Sequence, residues 1–242
     1  MEKIDIILIS CNRVDNTRET INKYYERLKT PFHLIVVDNE SEDGTYEYLQ
    51  EERERGRVHV LDTCPSELPI TMSYNIGFKH VESEYFICGQ DDINVPDLDP
   101  CVIQQLITLM EKYPTYGSIG CRIQRIPNIN WKNGNDDIVD ARKALSAYFR
   151  IQRKSDLEKL GENPFGTRQW DDLAFISQVR GKLGKECGWA KNLWADHSRG
   201  YCVDRGYKVK PRKWGTGIHS NTKYLHEEKP YPAIDQKTNI PF

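Results

Sequence analysis

Apolar and polar positions alternate in blocks along the first ninety residues. Ile4 to Cys11 is a nearly continuous apolar run, the pattern of a strand covered on both faces in a parallel sheet. Asn16 precedes a helical segment through Lys29, closed by Pro31, and a second apolar run follows from Phe32 to Val37. The polar turn at Ser41 to Gly44 leads into a charged helix ending at Gly56 and a short strand, Val58 to Leu61. After a loop with Pro65 and Pro69, Ser73 to Val81 reads as a short helix and Tyr85 to Cys88 as a buried strand that ends in the acidic turn GQDDINVP. Strands alternating with helices in this way predict a parallel sheet with helices on both faces.

The second half is less regular. Asp99 and Pro100 are placed as N-cap and first residue of a helix running to about Tyr113, with Pro114 as its stop. A strand near Ser118 to Gln124, a polar loop from Asn128 to Asp137 and an extended segment around Leu145 to Ile151 follow. Then come a short helix at Ser155 to Leu160, an amphipathic helix from about Asp172 to Leu183 and a tryptophan-rich strand, Trp189 to Ala195. From Ser198 the chain reads as loop, with a basic stretch KVKPRK. No linker divides the chain, so the expectation is one α/β domain around a mostly parallel central sheet flanked by helices.

Composition narrows this picture. With 242 residues, 38% hydrophobic and 29% charged, the chain has enough apolar material for one sizeable core and a well-solvated surface, which excludes disorder and fibre. A net charge of -2 gives no global attraction to nucleic acid or anionic lipid, so a polyanionic partner would have to be met locally. No apolar run is long enough to cross a bilayer and no leader pattern opens the chain, so a cytoplasmic location is expected. The seven cysteines are odd in number and scattered, which predicts reduced thiols.

In an open α/β sheet, ligands bind beyond the carboxyl ends of the strands. Three polar clusters sit there: Ser10 to Arg13, Asp38 to Thr45, and Gly89 to Asp92. Each alone is explained by capping or turn formation. Together, IILISCNR, LIVVDNESEDGT and EYFICGQDDINVP resemble the nucleotide-sugar half of family 2 glycosyltransferases with the GT-A fold, a member of the nucleotide-diphospho-sugar transferase superfamily. The resemblance covers roughly the first hundred residues. It implies a nucleotide-sugar-binding half over about residues 1–97, an acceptor and catalytic half over 98–197 and a loop-rich extension over 198–242.

The resemblance also implies roles. Asp38 accepts a hydrogen bond from the nucleotide base, and Ser10, Cys11, Asn12 and Arg13 line base and phosphates, with Asn75, Gln90 and Asp91 completing the donor-binding set. Asp92 matches the carboxylate that binds a divalent cation, manganese or magnesium, which neutralises the leaving diphosphate. The segment WDDLAFISQVR looks like the family's second acidic motif, with Asp172 as the base that takes the acceptor proton and Asp171 beside it. His197 is placed to complete the metal site; under a shifted reading Asp196 is the base and His219 the ligand. Inversion at the sugar carbon follows from the same resemblance.

Three positions depart from the family pattern: Gln90 in place of an acid, Cys11 in place of a base-stacking aromatic, and Tyr74 in place of an arginine, just before the matching Asn75 to Gly77. Trp189, Trp194, Trp214, Tyr201 and Tyr207 are candidates for an acceptor platform or for core. The acceptor itself, whether glycan, lipid-linked sugar, protein or modified nucleic-acid base, is open. Two rivals remain: a nucleotide-sugar-binding module that has lost catalysis, and a sugar nucleotidyltransferase, which usually carries a glycine-rich basic loop that SCNRVDNTRE does not resemble.

Overall fold

The computed structural model describes residues 3–65, 72–123, 134–141, 149–161 and 171–196, with the side chains of 171–173 outside that description. The two longest apolar runs become the central strands. β1 (Ile4–Ser10) is buried at every residue, and β2 (Phe32–Asp38) is buried over its last five. They pair in parallel from Ile4 with Phe32 to Ser10 with Asp38. β3 (Val60–Thr63) adds to the far side of β2, and β4 (Tyr85–Gln90) adds to β1, both parallel.

The remaining strands are β5 (Tyr116–Ile123), β6 (Ile138–Asp140), β7 (Phe149–Arg153) and β8 (Glu186–Ala195). All eight form one sheet in the order β3-β2-β1-β4-β7-β5-β8-β6. β7 runs antiparallel between β4 and β5, β8 is parallel to β5, and β6 is antiparallel to β8. The sheet is therefore mixed: its first four strands are parallel, and in the second half β7 and β6 are reversed. With β7 reversed between them, β5 and β8 still run the same way as β1 and β4, so all share one carboxyl edge.

Helices α1 (Val14–Arg27), α2 (Thr45–Glu54), α3 (Met72–Phe78), α4 (Val102–Lys112), α5 (Lys154–Leu160) and α6 (Asp171–Leu183) cover the sheet. One core lies beneath α1, α2 and α4, from Ile21 and Leu49 to Leu106 and Met110. The other lies beneath α3, α5 and α6, from Tyr74 and Leu157 to Phe175 and Val179.

Several boundaries differ from the sequence expectation for identifiable reasons. α1 begins at Val14, ahead of Asn16, because the Val14 amide donates to Asp43 Oδ2 (3.1 Å) in the next loop and supplies the missing cap from outside the helix. β3 begins two residues late because the Val58 amide still bonds to Glu52 at the end of α2. α4 starts at Val102, not Pro100: Gln104 accepts the Cys101 amide at 3.1 Å, so the capping box is built on Cys101. No disulfide joins any two of the six described cysteines; Cys202 lies outside the described residues. Among the described residues, no helix is long and apolar enough to cross a membrane.

Candidate active site

The chain leaves β1 toward β2 on one side and later places β4 on the other, so the crevice between the carboxyl ends of β1 and β4 is the switch point of the fold. The first and third polar clusters meet there. The Cys11 amide donates to Asp91 Oδ2 (3.3 Å), as does the Thr17 hydroxyl (3.2 Å), while the Thr20 hydroxyl donates to the Asp91 carbonyl (2.9 Å). Arg13 Nη1 lies 3.3 Å from Asp91 Oδ1 and also bonds Asp92 Oδ2. Both carboxylates are buried, at 4% and 6% exposure, so they are held almost out of water beside one guanidinium.

Burial drives the Asp91 carboxyl up to about 7, opposed first by the Arg13 charge and reinforced by Asp92. Tyr24 lies beneath the turn, its hydroxyl occupying the space a Cβ on Gly89 would enter, at 2.7 Å. Burial, then Asp91 and Asp92, push the Tyr24 phenol far upward, so it stays neutral there. A side chain at position 89 would have to displace the Tyr24 hydroxyl.

The second cluster closes the other wall. Asp38, at the end of β2, is fully buried; it accepts from the Ser10 hydroxyl (2.9 Å), the Ser41 hydroxyl (2.6 Å) and the Ser41 amide (2.8 Å). Burial raises its pKa, and the Ser41 and Ser10 hydrogen bonds oppose the shift. The two loops are laced together: the Asn12 amide donates to Ser41 (2.8 Å), the Glu42 amide to Asn12 Oδ1 (2.7 Å) and the Arg13 amide to Thr45 (3.1 Å). Asn12 and Glu40 are the non-glycine residues with positive φ among those described, one in each of these loops. Left-handed backbone outside glycine is maintained only where surroundings impose it, and it concentrates at functional sites.

Of the other expected donor-site residues, Gln90 is half-buried at the end of β4, paired with Ile9. Asn75 is half-buried on α3 and donates to Met72 Sδ (3.7 Å) within its own helix. Tyr74, at the departure from the family pattern, donates its hydroxyl to the Gly89 carbonyl (3.2 Å), tying α3 to β4. Sequence reasoning missed Ser41, Thr17 and Asp43. Ser41 and Asp43 lie inside the quoted DNESEDGT motif, but nothing in their spacing says which carboxylate or amide they reach.

The second acidic segment opens α6. Val179 lies against Gly117 at the start of β5, whereas the Phe175 ring faces Arg150, which pairs with Gly120 further along β5. Going from Val179 to Phe175 therefore moves toward the carboxyl edge, and the first turn of α6 continues in that direction. Asp171 and Asp172 belong to this turn, but their side chains lie outside the described residues. At the end of β8, Asp196 forms a two-way backbone bridge with Asn94 (2.9 and 2.8 Å), two residues beyond Asp92. His197, His219, Trp214, Tyr201, Tyr207 and the KVKPRK stretch lie outside the described residues. Trp189 packs at the margin of the second core, and Trp194 lies beneath the Arg122 guanidinium at 3.8 Å, so neither presents an open platform face on that side.

An open groove of about 360 Å³ runs between α4 and β8, lined by Gln105, Lys112, Asp137 and Asn192 among others. None of the carboxyl-edge candidates lines it.

The family model of glycosyl transferase family 2 matches residues 5–169, more than half of the chain. Among solved structures, a mannosyltransferase from Pyrobaculum calidifontis, solved with GDP-Man and Mn2+, superposes with a TM-score of 0.65 at 17% identity, covering 93% of this chain and 70% of that one. S. aureus TarS matches with a TM-score of 0.63 at 14% identity over 81% of this chain, and GalNAc-T7, solved with UDP, GalNAc and Mn2+, with 0.63 at 12% over 81%. The chain spans 36% of that TarS structure and 43% of the GalNAc-T7 chain. At these identities the likeness establishes the GT-A fold. No curated protein sequence matches the chain.

Proposed function

The chain belongs to glycosyl transferase family 2, and from that premise we propose that it moves a sugar from a nucleotide-diphospho-sugar to an acceptor hydroxyl, with inversion and with the help of a divalent cation. The observation that carries this reading is the meeting of Ser10, Arg13, Asp38, Asp91 and Asp92 at one switch-point crevice, although up to 82 residues separate them in sequence. The solved relatives that hold GDP-Man with Mn2+, or UDP-GlcNAc, are consistent with this donor class.

Asp38 addresses the base. Its carboxylate has about four acceptor directions, of which Ser10 and Ser41 take three, leaving one for a base N–H. Asn12 and Arg13 line the path from base to diphosphate.

A divalent cation would suit the acidic pair, which needs a further ligand because the described residues bring no third His, Cys, Asp or Glu to it. Asp91 and Asp92 are adjacent buried carboxylates already gathered around a positive group, and hard oxygen donors of this kind suit magnesium or manganese. Asp92 would hold it, and His197, which follows Asp196 in sequence, is the proposed second ligand. When bound, the cation neutralises charge growing on the leaving diphosphate.

Asp172, in the first turn of α6, accepts the proton of the attacking acceptor hydroxyl, with Asp171 beside it. The helix rests on the second core through Phe175, Ile176 and Val179, which fixes its first turn relative to the sheet. The acceptor approaches from the side of β8 and α6.

A panel of sugar nucleotides with Mn2+ tests the reading. Thermal stabilisation together with release of nucleoside diphosphate supports transfer. Stabilisation without turnover on any donor or acceptor supports a binding module instead. Asp172→Asn is expected to keep donor binding and lose transfer, and retained transfer would move the base to Asp196.

A further inference from the structure

Arg13 occupies an unusual place for a residue expected to line phosphates. Its Nη1 contacts Asp91 Oδ1 (3.3 Å) and Asp92 Oδ2, and the carboxylate side chains are only 5% and 3% exposed while the arginine side chain keeps 21%. Asp91 does not rely on Arg13 alone, because the Cys11 amide and Thr17 hydroxyl hold its other oxygen. The Arg13 backbone is anchored independently: its amide donates to Thr45 Oγ1 and its carbonyl accepts from the Thr17 amide at 2.8 Å. Exchange of the guanidinium for another cation is therefore compatible with both loops staying in place.

We propose that Arg13 is a resident counter-cation: in the donor-free protein it holds the position between Asp91 and Asp92 that a divalent ion takes, so that ion and guanidinium compete for Asp92. The idea rests on the reading of Asp92 as a cation ligand. Two adjacent buried carboxylates without a positive partner repel each other and are costly to keep ionised, and the arginine removes that cost before any ligand arrives. A divalent ion entering alone must break this pairing. A diphosphate supplies the displaced guanidinium with a new anionic partner, for which its planar fork is suited. Ion and donor then favour each other's binding, and by linkage the coupling is reciprocal.

The test is Mn2+ binding to the nucleotide-free protein, followed by loss of the free-ion EPR signal, in the natural protein and in Arg13→Gln, Arg13→Lys and Arg13→Gln/Asp92→Asn. Arg13→Gln is expected to bind Mn2+ at least about tenfold more tightly than the natural protein, a difference of about 1.4 kcal/mol. Arg13→Lys, with a shorter reach and a point charge, should fall between the two, and adding Asp92→Asn should abolish the gain. Affinity unchanged or weakened in both single variants overturns the counter-cation proposal; if Arg13→Gln/Asp92→Asn still binds Mn2+ more weakly than Arg13→Gln, the cation-site reading survives. A gain in Arg13→Gln that persists without the Asp92 carboxylate places the ion elsewhere and overturns both. The lysine variant keeps the charge and the backbone anchors, so the comparison stands even where glutamine compromises folding.

Discussion

Buried acids lie at both edges of the β1–β4 pair, Asp5 at one and Asp91 with Asp92 at the other, and they are satisfied in opposite ways. At the amino edge, Asp5 accepts the Glu82 and Ser83 amides (2.7 and 2.8 Å) and the Ser83 hydroxyl (3.0 Å) through one oxygen, and the Asp5 amide donates to the Ser83 hydroxyl oxygen (2.9 Å). At the carboxyl edge, Asp91 and Asp92 converge on a long, partly exposed arginine side chain. Backbone amides cannot leave without unfolding the loop they belong to, whereas a guanidinium can. The first arrangement fastens the turn before β4; the second keeps a charged position exchangeable. Burial alone therefore does not distinguish these acids; the kind of partner does, backbone amides for Asp5 and a side-chain guanidinium for Asp91 and Asp92.

The contrast is broken most severely at the proposed base. Asp172→Asn is expected to lower kcat by about 10²–10⁴-fold, the usual contribution of a general base, with donor affinity unchanged; steady-state kinetics and equilibrium donor binding separate the two. Next, Asp92→Asn should cut transfer by at least about a hundredfold, on the scale of losing one charge-stabilising group at a reaction centre, with little change in the unfolding midpoint. At the opposite edge, Asp5→Ala should do the reverse: a loss of about 1–3 kcal/mol in urea unfolding from stranded buried amides, with kcat per folded molecule retained. A fall in kcat for Asp5→Ala at constant folded fraction would contradict the division between the two edges.

The smallest effect concerns pH at the amino edge. The Leu34 amide donates to His59 Nδ1 (3.0 Å), which only an unprotonated nitrogen accepts, and burial, then His33 and Lys3, hold the His59 pKa below its ordinary value. A histidine with a depressed folded-state pKa contributes stability that is fully present above its unfolded value, about 6.5, and is lost as pH falls through the folded value. The urea midpoint should therefore drop modestly from about pH 7.5 to about pH 5.5. His59→Gln should flatten that slope while leaving the pH dependence of Mn2+ binding intact.

Much of the parallel half could be read from the chain because β1, β2 and β4 are buried on both faces and their apolar runs admit no other element. The strand-end rule then located Asp38, Asp91 and Asp92. It did not reveal that Arg13 reaches across 79 positions to Asp92, since a side chain's partner depends on register between strands far apart in sequence. Nor did it show that Asp43 serves two helices, donating nothing but accepting the Val14 amide and, at 3.1 Å, the Thr45 amide. The second half was harder because direction changes at β7 and again at β6, and strands such as FRIQR carry buried polar residues. Arg150 is fully buried there beneath Phe175, where an apolar pattern would not place a cation.

The most direct test is a crystal structure with Mn2+ and a sugar nucleotide that the protein hydrolyses, with the metal located by anomalous scattering. The account predicts a single peak against the Asp92 carboxylate, the base beside Asp38, and Arg13 turned from the acidic pair onto the diphosphate. A metal peak away from Asp92, or a donor bound outside the crevice between β1 and β4, would contradict it.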